Sequence, residues 1–221
     1  MQDVWDRIES WLAINAPKVL KSLQPGASEG EIREAEEALD VQFPPEVKQS
    51  FRLHNGQFDC TGALIPDQLS PEDLNYPITD PCSGWQLLSL KNIVTWWSEW
   101  MELLNVGETD WNRFWIPLTY DEGGNHDCLD LDPKLGSNSG RIVRTFHETI
   151  PDIESDAEFK MAVNFRVWLE QFAIDLESGI YEYAEEYDRL IDAKVLRHIS
   201  ASQPIRDAQI QEFFKKMGLE P

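Results

Sequence analysis

The chain has 221 residues, enough for one well-packed domain, or one domain plus an appendage, and its 42% hydrophobic and 11% aromatic content is that of a globular rather than a disordered protein. Forty acidic residues against 19 basic ones leave a formal charge of −21, a field that repels nucleic acid and anionic membranes and speeds encounters with basic partners. Nine tryptophans promise either a heavily aromatic core or an aromatic contact surface.

In chain order, Val4, Trp5, Ile8, Trp11 and Leu12 recur at the spacings of one helical stripe. Pro17 interrupts it, a short helical turn carries Val19, Leu20 and Leu23, and Pro25-Gly26 is a break. Ser28, three residues before Glu31, reads as a capping box opening a helix that turns Ile32, Ala35 and Leu39 inward. After Phe43-Pro44-Pro45, a helix from about residue 46 buries Val47, Phe51 and Leu53. It stops at His54-Asn55-Gly56, read as a cap with a left-handed glycine. Residues 57–84 are turn-rich, with one short strand candidate at Ala63-Leu64-Ile65. WQLLSL (85–90) is a strand running into a helix capped by Ser89 and carrying Ile93, Trp96, Trp97, Trp100 and Leu104. Trp96 and Trp100 share a face of that helix and Trp97 turns about 100° away, which makes Trp97 a candidate contact anchor.

Strands follow at roughly 114–119, 126–131 and 141–146, joined by Glu122-Gly123-Gly124 and by the loop from Lys134 to Gly140, so the sheet is expected to be antiparallel. Trp115 reads as core packing, and Pro117 places its strand at an edge or bulge. A second capping box, Ser155 with Glu158, introduces a helix with Phe165, Trp168, Leu169, Phe172 and Leu176 on one stripe, ended by Gly179. Residues 180–221, with Tyr181, Tyr183 and Tyr187 among glutamates, read as charged and helical. The expectation is an α+β protein, a small antiparallel sheet with helices packed around it, over residues 1–179, and a helical extension, 180–221, packed on the same domain.

Cys60, Cys82 and Cys128 form no CxxC and no dense framework, which fits buried thiols in a reducing compartment. The acidic N-terminus lacks the basic start and apolar run of a signal peptide, so a cytoplasmic location is expected.

The stretch WIPLTYDEGGNHDCLDLDP (115–133) crowds carboxylates and a histidine around a Gly-Gly turn, and a metal-dependent hydrolase has to be weighed. Strand alternation puts Asp127, Leu129 and Leu131 on one face and His126, Cys128, Asp130 and Asp132 on the other, where the second set could converge with His147 on a cation. The spacing matches neither a calcium loop nor a zinc signature, and GSNSG (136–140) has asparagine where a serine nucleophile would sit. Turn-forming Asp, Asn and Gly account for the stretch without chemistry. No catalytic residue, metal or cofactor is assigned.

Three runs in this order, LQPGASEGEIREAEEALDVQFPPEVKQSFRLHNGQ (23–57), FWIPLTYDEGGNHDCLDLDP (114–133) and FRVWLEQFAIDLESG (165–179), resemble the SUKH superfamily, in its cell-wall-assembly-regulator branch. The resemblance spans Trp5 to Gly179 and implies an antiparallel sheet surrounded by helices. It implies one of two non-catalytic roles: an immunity protein that neutralises a cognate toxin, often a nuclease, or a regulatory scaffold of cell-wall synthesis. Lacking the long flanks of the fungal regulators, the chain is read first as an immunity protein. Its partner is then a toxin domain with a basic surface, met by carboxylates standing where phosphates would sit. The expected contact residues are Asp121, Glu122, Asn125 and Asp127, with Trp97 as anchor.

Overall fold

The stripe Val4, Trp5, Ile8 and Leu12 is buried in helix α1 (Gln2–Asn15), and the Trp5 indole N–H donates to Ser50 Oγ at 2.9 Å, tying α1 to helix α4 (Pro45–Leu53). These positions come from a computed structural model that describes residues 1–58, 64–66, 84–121, 123–147, 159–185 and 189–197. Between those two helices lie α2 (Pro17–Ser22), with proline at its first position where no amide is needed, and α3 (Glu29–Leu39). The capping box that opens α3 is formed in both directions. Ser28 Oγ accepts from the Glu31 amide, and the Glu31 carboxylate accepts from the Ser28 amide at 2.8 Å.

Within His54-Asn55-Gly56, His54 is the C-cap of α4 in extended conformation, and the left-handed glycine does not end the helix. Residues His54–Gln57 form strand β2, antiparallel to β1 (Leu23–Pro25). His54 leaves α4 in extended conformation, with its ring between Glu9 and the Gln24 carbonyl, and Asn55 Oδ1 accepts from the Leu90 amide at 2.9 Å. Gly56 is left-handed (φ 76°), and a Cβ there would stand 2.4 Å from the Ser89 nitrogen. Close backbone approach, not helix termination, is what this glycine serves.

The main sheet has the order β5 (Trp115–Pro117), β7 (His126–Asp130), β8 (Arg141–Thr145) and β9 (Lys160–Ala162), all antiparallel. A smaller antiparallel sheet joins β3 (Ile65–Pro66), β4 (Gly84–Leu87) and β6 (Thr119–Tyr120). The strand expected at 114–119 therefore serves two sheets. Pro117, without an amide proton, ends the edge strand β5, and beyond Leu118 the chain pairs with β4 instead.

Helix α5 (Leu90–Val106) is capped by Ser89 as expected and ends at left-handed Gly107. The closing helix, α6 (Phe165–Glu177), buries Phe165, Trp168, Leu169, Phe172 and Leu176. Its cap is Asn164, whose side chain accepts from the Val167 amide at 2.8 Å. Ser155 and Glu158 lie outside the described residues, and β9 stands between them and the helix.

The tail expected to be helical begins as a hairpin, β10 (Tyr181–Ala184) with β11 (Arg189–Asp192). Alternation decides this: Tyr181 is buried against Phe172, Glu182 is exposed, and Leu190 joins the same core as α1, α4 and α6. Residues 198–221 lie outside the described residues.

Six tryptophans, 5, 85, 100, 111, 115 and 168, are buried, and 11, 96 and 97 are half-buried. The aromatic content is chiefly core. The molecule is α+β, with small antiparallel sheets among helices.

Candidate partner-binding site

The acidic turn before β7 is organised by its own side chains. Asp121 Oδ1 accepts from the amides of Gly123 (2.8 Å) and Asn125 (2.9 Å), while Oδ2 accepts from Asn125 Nδ2 at 2.6 Å. Asn125 Oδ1 in turn accepts from the His147 amide at 2.9 Å. Asp121 and Asn125 are thus committed to closing the loop, in the manner of an Asx turn. Glu122 lies outside the described residues.

Asp127, expected on the contact surface, is instead wholly buried. Its two oxygens accept from Arg144 Nε (2.8 Å) and Nη2 (3.1 Å), and the guanidinium stacks over the Trp85 ring at 4.1 Å. A buried carboxylate survives because it is paired and doubly hydrogen-bonded. Strand alternation, which groups Asp127 with core residue Leu129, is the sequence signal for this burial, whereas the partner, Arg144, comes from the neighbouring strand and has no local signal.

The set that could have gathered on a cation does not gather. His126 donates from Nδ1 to the Thr119 carbonyl at 2.6 Å and sits among Trp96, Trp100, Trp111 and Tyr120, with ring centroids 5.5 to 6.1 Å away. Burial holds its pKa down at about 4, so the ring is neutral at pH 7. Among the described residues, its Nε2 and the indole N–H groups of Trp100 and Trp111 have no hydrogen-bond partner.

On the same strand face, burial pushes the Cys128 thiol up, and Cys128 packs beside Thr145. Asp130 pairs with Arg141 at 3.0 Å, its carboxyl raised above the usual range by burial. Asp132 accepts from the Lys134 amide at 2.9 Å, capping the 3-10 turn Pro133–Asn138. His147 is at the far end of the hairpin, against Asn125. Among the described residues, no group of three or more His, Cys, Asp and Glu is placed to hold a metal ion.

Trp97 is half-buried, and its indole N–H donates to the Arg113 carbonyl at 2.8 Å. It stands on α5 rather than in the acidic loop. A groove of about 320 Å³, which no motif announced, lies between α3 and α5. Its floor is Ala35, Leu90 and Val94. Glu31 and Glu34 rim it from α3, and Lys91 and Thr95 from α5.

The model of the SMI1/KNR4 family (SUKH-1) matches residues 26–171. Over 92% of its length the chain is 26% identical to the cell wall assembly regulator SMI1 of Saccharomyces cerevisiae, covering 46% of that protein. It is 24% identical over 84% of its length to the glucan synthesis regulatory protein of Neurospora crassa, covering 40% of it. To KNR4/SMI1 homolog 2 of Debaryomyces hansenii it is 36% identical over 82% of its length, covering 36% of that protein. The chain spans less than half the length of these relatives. No described helix is long and apolar enough to cross a membrane.

Proposed function

The chain belongs to the SMI1/KNR4 (SUKH-1) family, and from that premise we propose that it is a non-enzymatic binding protein that regulates cell-wall glucan assembly. The observation that carries this reading is likeness over most of the chain to relatives named as regulators of wall assembly and glucan synthesis. The site chemistry is in keeping with it. The carboxylates and histidines that suggested a hydrolase are taken up by capping, loop closure and buried pairing. A cytoplasmic place of action belongs to the same proposal.

The case for a toxin-neutralising role rests on the lack of long flanks. Relatives more than twice as long contain a segment like this one, so length does not separate the two roles. The test is deletion of the gene in its own host. Reduced or redistributed wall glucan is expected, restored by the wild-type chain. An unchanged wall, together with lost protection against a toxin-bearing competitor, would overturn the reading in favour of neutralisation.

A further inference from the structure

We propose that the groove between α3 and α5 is a docking site for an amphipathic helix of a partner protein, with lysine or arginine on the flank that meets α3 and small aliphatic residues along its centre. This rests on the regulatory reading above and names the kind of partner that reading lacks.

The groove has the shape for a helix. Two helices packed side by side leave a channel into which the side-chain ridge of a third can pack, and an apolar anchor strip is the usual key. Ala35 in the floor and exposed Ala38 beside it are small, so a visiting backbone comes close. At about 320 Å³ the space is at the lower bound for a small-molecule site, and it is open on one side, as suits a few anchors from a longer element.

Charge selects the occupant and its orientation. From cap to cap, α3 carries Glu29, Glu31, Glu34, Glu36, Glu37 and Asp40 against Arg33 alone, and its last turn has no basic residue to offset the negative helix end. Four of these have a basic partner within the fold: Glu36 pairs with Lys48 at 2.7 Å, Glu29 with Arg52, Asp40 with Arg113 at 3.2 Å and, loosely at 3.9 Å, Glu37 with Arg33, which leaves the two groove residues Glu31 and Glu34. Glu34, on the rim, makes no hydrogen bond or ion pair among the described residues. Glu31 keeps an ionised carboxylate because the Ser28 hydroxyl and amide hold its pKa below the usual range. The opposite rim presents Lys91 and Thr95, which favour polar or acidic residues on the partner's other flank. A helix basic on one side only is therefore seated one way round.

The experiment uses the full chain and three fluorescein-labelled peptides of about 18 residues. One is an alanine/leucine helix with lysines on one flank. The second is the same helix with glutamates for lysines, and the third has the first one's composition but central prolines. Fluorescence anisotropy should show saturable binding of the lysine helix, at least about tenfold weaker binding of each other peptide, and amide shift changes centred on Ala35, Ala38 and Val94. Ala38→Trp, which fills the groove, and Glu34→Lys should each weaken it about tenfold, while Asp6→Lys on α1 leaves it unchanged. Should Ala38→Trp lose its circular dichroism, Glu34→Lys and the shift map decide. No binding, equal binding of the proline peptide, or equal weakening by Asp6→Lys overturns the proposal. Peptide failure with an intact glucan phenotype removes the groove alone; a missing phenotype with peptide binding removes the regulatory reading alone.

Discussion

Asp127 and Arg144 stand directly opposite each other on β7 and β8, and the carboxylate is gripped by two guanidinium nitrogens in the interior. The pair fixes register where a one-residue slip would turn Leu129 out of the core. Removing one member strands a buried charge. Asp127→Ala should destabilise the protein by about 3–5 kcal/mol, measured by urea unfolding, whereas replacing both residues by apolar ones of similar size should cost much less. A lysine at 127 would abolish any binding by unfolding the sheet, so loss of binding in that variant reports nothing about an interface.

His126 makes a prediction about acid. Its folded pKa of about 4 lies below the ordinary 6.5, so the unfolded chain takes the proton first. This contribution is unaffected above about pH 6.5 and is lost as pH falls through the window to about 4, by up to about 3 kcal/mol. Urea unfolding of wild type and His126→Gln at pH 7, 5.5 and 4.5 isolates it: the wild-type curve should fall more steeply. Parallel curves would mean that the ring does not resist protonation. Tryptophan emission from Trp96, Trp100 and Trp111 is a second readout, because an imidazolium among them should quench it.

Gly56 permits no side chain. Its φ is 76°, and an added Cβ would meet the backbone of Leu88 and Ser89 at 2.4 to 2.6 Å. Gly56→Ala should cost about 2–5 kcal/mol, through strain and displacement of the α5 cap together. Gly107→Ala offers the comparison: it is also left-handed, but has open space around it, and should cost only about 1 kcal/mol. Thermal unfolding of the two variants separates crowding from backbone conformation.

The parts of the fold legible in the sequence are those set by local periodicity. The stripes of α1 and α6, the Ser28 box and the Ser89 cap all stand where the residues placed them. What escaped depends on distant partners. His54–Gln57 became a strand because β1, α1 and α5 supply its hydrogen bonds, and Leu118 became a crossing point between sheets because β4 waits beyond it. In the tail, the alternation of Tyr181 and Tyr183 marks a strand, but the surrounding glutamates mask it. For the candidate site, Asp121 and Asn125 were readable as a turn. The burial of Asp127 needed Arg144, seventeen residues on, and the α3–α5 groove is a product of helix packing that no single segment encodes.

The turn itself offers the last prediction. Asp121 accepts three hydrogen bonds from two residues, one oxygen serving both amides. Asp121→Ala leaves those amides unpaired and should cost about 1–2 kcal/mol, with faster hydrogen exchange at Gly123 and Asn125. Asp121→Asn keeps an acceptor for the two amides and turns the other oxygen into a donor facing Asn125 Nδ2, so its cost should fall between wild type and alanine. The pair also separates loop architecture from electrostatic contact. A basic partner that used this loop would associate more slowly with both variants, since both lose the charge, and the difference would fade at high salt. If partner binding instead follows the order of stability, with asparagine close to wild type, Asp121 acts by closing the loop and the contact surface lies elsewhere.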